Sequence, residues 1–138
     1  MNDIMSPVFA MWLLTFVVWV YMYYKRIPWI TSSELTDEQM KPAVFAELQP
    51  PDVANPSDNL KNLFELPILF YGICLYLHFA GLADGIYVIS AWIFVLFRLL
   101  HSIMHCTKNV VIVRFGLYAV SAAACFFMIF RAAFSHFA

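Results

Sequence analysis

Lys61, Asn62 and Glu65 stand at the start of one apolar segment, with Pro67 just behind them. Arg98, His101 and His105 close a second apolar segment, and Arg114 and Tyr118 open a third. An ionisable side chain carried into a membrane span costs roughly 2.5–3.5 kcal/mol on insertion scales, so such groups as a rule face a cavity or a partner. Spacings of three and four residues place Arg98, His101 and His105 on one helical face, Arg114 and Tyr118 on another, and Asn62 and Glu65 on a third. If the segments pack side by side, these faces meet at one level as a single polar site. Glu65 would offset part of the charge of Arg98 and Arg114, leaving an excess of positive charge and many donors. That chemistry suits a small anionic ligand arriving from the cytoplasm.

Plainer readings exist for each group. Arg98 could snorkel to the interface, and a Glu65–arginine pair could simply lock helices together. Arg114 lies near a helix N-terminus, where a cation opposes the macrodipole, so plain anchoring is less natural there. His78 and His136 read as interfacial or solvated groups. Ser121, Ala122, Ala123 and Ala124 read as a small-residue packing patch. The aromatic cluster Trp12, Trp19, Tyr21, Tyr23, Tyr24 and Trp29 reads as lipid-facing or interfacial.

The elements that must position these groups follow from composition. Of 138 residues, 63% are hydrophobic and 12% charged, and the mean hydropathy is +0.76, which is the balance of an integral membrane protein. A net charge of -1 with no basic run argues against a nucleic-acid partner. Cys74, Cys106 and Cys125 form an odd set, two of them inside apolar segments, and read as free thiols. A span needs about 20 apolar residues, and four segments qualify, about 6–26, 62–80, 85–105 and 109–131. The first has neither a basic n-region nor a small-residue cleavage site and is expected to remain as a helix. The third offers only about 12 residues from Ile86 to Phe97, roughly 18 Å at 1.5 Å per residue, so it must continue through Arg98, His101 and His105. The expected fold is an all-α four-helix membrane bundle in a single domain.

Gly81, Asp84 and Gly85 mark one turn, and Cys106 to Asn109 the next. Residues 27–61 read as a polar surface loop, since they hold five of the seven prolines. A short helix is expected within Thr31 to Leu48, capped by Ser33 or Thr36. Lys25, Arg26, Lys41 and Lys61 border the first loop, and Arg98, Lys108 and Arg114 the third, with Arg131 alone at the other side. The expected topology has loops 1 and 3 cytoplasmic and both termini outside.

Over about 58–121 the pattern resembles the MAPEG family, the membrane-associated proteins of eicosanoid and glutathione metabolism. The resemblance rests on Lys61, Asn62, Glu65 and Pro67 at the start of the second helix, Arg98 and His101 at the end of the third, and Arg114 with Tyr118 in the fourth. It implies a homotrimer binding glutathione as co-substrate between subunits. In that reading Lys61, Asn62, Glu65, Arg98, His101, His105 and Tyr118 hold the tripeptide, and Arg114 is the catalytic residue that stabilises its thiolate. His105 occupies a position where relatives can have Tyr. Asp58 and Asn59 depart from an Arg-rich motif, and the Glu-to-Pro spacing is short. The implied activity is a transferase, or a peroxidase, acting on a lipophilic electrophile from the bilayer.

Physical magnitudes allow this. Lowering a thiol of pKa about 8.5 by two units takes roughly 2.7 kcal/mol, and one guanidinium at about 4 Å supplies roughly 4 kcal/mol at an effective dielectric near 20. The competing reading is a non-catalytic lipid- or small-molecule-binding scaffold of the same superfamily. A bis-His haem through His101 and His105 is disfavoured, because axial ligands must oppose one another. No metal site is indicated, since this pair lacks a third ligand of suitable spacing.

Overall fold

The computed structural model describes residues 3–137 in helices α1 (Met5–Ser32), α2 (Pro42–Leu48), α3 (Pro51–Asn62), α4 (Leu66–Phe79), α5 (Gly85–Cys106) and α6 (Val111–Phe137). Four stretches are long and apolar enough to cross a membrane, namely α1, α3 with α4, α5 and α6. The fold is all-α, a four-helix bundle of a multi-pass integral membrane protein. Its outer faces are apolar, with Phe16, Phe115, Phe130 and Phe134 between 60% and 77% exposed on the single chain. Against acyl chains such surface carries no hydration cost.

Helix α5 is the central element. Tyr87, Ser90, Ala91, Phe94, Val95, Arg98, His101, Ser102 and His105 form its buried face at helical spacing. Phe94 stacks on Phe70 of α4 with ring centroids 4.2 Å apart. Ser121, Cys125, Met128 and Ala132 form the buried stripe of α6. Asp84 caps α5 by accepting the Tyr87 amide at 3.0 Å and takes both guanidinium arms of Arg131 at 2.9 and 2.6 Å. The α4–α5 turn is thereby tied to α6.

The main departure from the sequence reading lies within residues 27–61, which are largely helical. Helix α1 runs on to Ser32, and its last turn is closed by Thr31, Ser32 and Ser33 hydroxyls donating to the carbonyls of Ile27, Pro28 and Trp29. The Trp29 carbonyl is among the last four that a helix end leaves open, and the other two lie in the turn before it. Lys25 and Arg26 lie inside this helix and reach α3, Lys25 to Asp52 at 3.7 Å and Arg26 to the Ser57 hydroxyl at 2.6 Å. The prolines read as loop markers include helix starters, because Pro42 and Pro51 sit in the first turns of α2 and α3, where a missing amide costs nothing. Thr36 caps only a single turn, exchanging hydrogen bonds with Gln39.

The second span is also corrected. It does not begin at residue 62, because α3 precedes α4 and the two are separated by a break at Leu63–Glu65. Pro67 explains the break, since its ring would clash with the carbonyl four residues back and it has no amide to donate. Phe64 and Glu65 close back on Lys61 and Asn62 over three residues, and Glu65 adopts φ -98°, ψ -98°. Asn62 and Glu65 therefore do not share the face of one continuous helix. Helix α6 begins at Val111 and extends past the expected end at 131 to Phe137.

Candidate functional site

At the end of the bundle where α3 stops and α6 begins, Asn62, His101, Val111, Arg114, Phe115 and Tyr118 line an open recess of about 190 Å³. Arg114 is half-buried and reaches it from the first turn of α6, with Tyr118 one turn deeper. The guanidinium of Arg114 donates to the side-chain oxygen of Asn109 at 2.5 Å. Asn109 holds the α5–α6 turn with φ +47°, a left-handed conformation that Asn tolerates better than most residues. Its amide nitrogen donates in turn to the Asn55 side chain on α3 at 2.9 Å.

His101 is buried and pairs through Nδ1 with the Arg114 carbonyl at 3.0 Å. A carbonyl only accepts, so Nδ1 carries the proton, and in the neutral ring Nε2 is a free acceptor. That Nε2 is buried without a partner among the described residues, as is Nδ1 of His105. The two rings stand edge to face, with centroids 5.6 Å apart.

Arg98 is 0% exposed. One arm donates to the Asn62 carbonyl at 3.1 Å, and its guanidinium carbon lies 5.5 Å from the Tyr118 ring centroid. The Asn62 carbonyl is among those that the α3–α4 break leaves without a regular helical partner, so Arg98 caps the negative end of α3. Its Nε and second arm have no partner among the described residues. Arg98 thus stands behind the recess wall.

Glu65 is exposed and forms no direct ion pair among the described residues, but its charge still acts favourably on Arg98. The turn preceding Pro67 sends its side chain elsewhere than an unbroken helix would. Lys61 is exposed and bridged to Asp58 at 2.9 Å, which counters its charge on the surface of α3. The structure therefore brings together Asn62, Arg98, His101, His105, Arg114 and Tyr118, while Lys61 and Glu65 are exposed and do not line the recess on the single chain.

The sequence reading overlooked Asn55, Asn59 and Asn109. Asn59, counted as a departure from a motif, is fully buried, accepting from the Ser102 hydroxyl at 3.3 Å and donating to Cys106 Sγ at 3.5 Å. The available signal was the spacing of Asn55, Asn59 and Asn62, one face of a helix, which a loop assignment for residues 27–61 concealed.

The model of the MAPEG family matches residues 4–134. The chain belongs to the MAPEG family. This family includes glutathione transferases and related membrane proteins. Comparison with curated proteins and with solved structures found no match. The family model spans nearly the whole MAPEG chain, including the α1–α3 region that lies outside the motifs noted in the sequence. Chemically, this MAPEG site offers one guanidinium at an open recess, a second behind its wall, and no carboxylate paired with either among the described residues.

Proposed function

We propose that this protein is a membrane-bound glutathione-dependent transferase in which Arg114 stabilises the thiolate of glutathione. The observation that carries this reading is an Arg114 guanidinium at an open recess, held by a neutral acceptor rather than a carboxylate. Its field is available to an incoming anion. Family membership supports glutathione as that anion. Asn62 and Tyr118 would hold the tripeptide beside Arg114, while Arg98 and His101 fix the walls. His105 would contribute from the buried face behind them. Lys61 and Glu65, exposed on the single chain, would take part where a neighbouring subunit closes the recess, in a homotrimer.

In the reaction the thiol proton leaves to water, and Arg114 stabilises the sulfur anion. The sulfur electron pair then forms a bond to an electrophilic carbon of a lipophilic substrate. A leaving group departs with its own pair, or, in an addition, the π bond of that carbon breaks, its pair moves to the neighbouring atom, and that atom takes a proton from water. The apolar outer faces support entry of this substrate from the bilayer. The charge pattern supports a recess facing the cytoplasm, at the end that carries the α5–α6 turn.

The test is the ultraviolet absorbance of the thiolate on adding glutathione to the detergent-purified protein near pH 7. Wild type should show it, and Arg114→Ala should lose it together with about 100-fold in kcat/KM, the scale on which one transition-state charge contact acts. An unchanged glutathione-dependent rate in Arg114→Ala sinks the proposal. The Asp58 partner of Lys61 favours a second reading, because it weakens anion attraction: a non-catalytic lipid- or small-molecule-binding scaffold. That reading predicts no thiolate signal in either protein and a lipid that co-purifies.

A further inference from the structure

We infer that Asn109 is a positioning residue that holds Arg114 through an uncharged acceptor, so that the guanidinium stays fixed while its charge remains free for the ligand; this rests on the thiolate-stabilising reading of Arg114. The atom assignments follow from chemistry. Arginine has only donors, so the Asn109 atom 2.5 Å from Arg114 Nη1 is Oδ1. The Asn109 amide nitrogen then faces Asn55, whose contacting atom at 2.9 Å is its oxygen. Asn55 on α3 thereby fixes which way the Asn109 amide turns, and Asn109 fixes the guanidinium. Neither residue lines the recess, so neither acts by touching the ligand.

The choice of Asn has two physical consequences. The left-handed backbone at φ +47° is one that Asn or Asp adopts readily. Between these two, only Asn leaves Arg114 with its full field. Asp at the same place would form an ion pair with Arg114, and a second charge within about 4–6 Å shifts a neighbouring group by about 1–3 pKa units. The other charged or titratable groups around Arg114 are His101 and His105 on α5 and Tyr118 on α6; beyond them Arg98 acts on both histidines, Asp58 of α3, paired with Lys61, acts on His105, and Glu65 acts on Arg98.

The experiment is the pH profile of the glutathione thiolate absorbance in wild type, Asn109→Asp and Asn109→Gly. Asp is nearly isosteric and Gly keeps the left-handed turn, so both retain the backbone, and thermal unfolding in detergent checks this. In Asn109→Asp the apparent thiol pKa should rise by at least about one unit, and in Asn109→Gly by less, with a higher KM for glutathione. An unmoved pKa in Asn109→Asp, with wild type still forming a thiolate, overturns the role of Asn109 and leaves the transferase reading intact. No thiolate in wild type overturns both. A purely structural role would lower the unfolding temperature without moving the pKa.

Discussion

Arg98 is buried beside the recess without lining it. It is fully buried, yet among the described residues only one arm is hydrogen-bonded, to the Asn62 carbonyl, while the Tyr118 ring supplies a second, weaker attraction. Removing a guanidinium from water costs several kcal/mol, and a single neutral acceptor and a ring face return less. Arg98→Met, of similar reach and no charge, is therefore expected to hold or raise the unfolding temperature in detergent by a few degrees, on the scale of about 1–3 kcal/mol. On the transferase reading the same variant should also weaken glutathione binding, because the α3 end and Tyr118 lose the group that aligns them. A large fall in unfolding temperature would show that the pair geometry outweighs desolvation. Sequence spacing placed Arg98, His101 and His105 on one face. It did not show that Arg98 stands behind the wall rather than in it, since that depends on where the Asn62 carbonyl and the Tyr118 ring come to rest.

At the scale of elements, two devices set the site. The first is the break between α3 and α4. Pro67→Ala restores an amide that can donate to the Leu63 carbonyl, so α3 and α4 can join and turn Asn62 away from the recess. The expected result is stronger hydrogen-exchange protection over 63–68 and a higher KM for glutathione; unchanged protection would show that packing, not Pro67, imposes the break. The second device is the Asp84–Arg131 fork at the opposite end. The hydrogen bonds from Arg131 and from the Tyr87 amide hold the Asp84 carboxyl down to about 2, below its ordinary value near 4. Because this pKa is depressed in the folded state, the stabilisation is complete above about pH 4 and is lost as pH falls through about 2. Asp84→Asn keeps a side chain that can cap α5 but removes the ion pair. It should lower the unfolding temperature at neutral pH and flatten its dependence between about pH 4 and 2. An unchanged pH dependence would place the acid sensitivity elsewhere.

Over the whole molecule, composition and residue spacing alone are enough for the class and most of the frame. The apolar segments could be nothing but spans, and the charged residues that no boundary could exclude marked where a polar cluster would form, because hydrocarbon accepts ionisable groups mostly when they face a cavity or a partner. The third span was legible from end to end, as Asp84 and Gly85 open it and the polar face through His105 closes it. The family was legible from spacings in three helices, and the family model extends it to residues 4–134. Packing settles the rest, where local signals compete. Prolines mark loops and helix starts alike, so Pro42 and Pro51 became intelligible only once α2 and α3 were seen packed beside α1. Lys61 and Glu65 fall either side of the α3–α4 break, exposed and outside the recess lining on the single chain, a placement that spacing along one continuous helix does not give. Asn55, Asn59 and Asn109 carry no charge to announce themselves. Their importance comes from neighbours 54, 43 and 5 residues away, and a contact between distant positions exists only after the chain has folded.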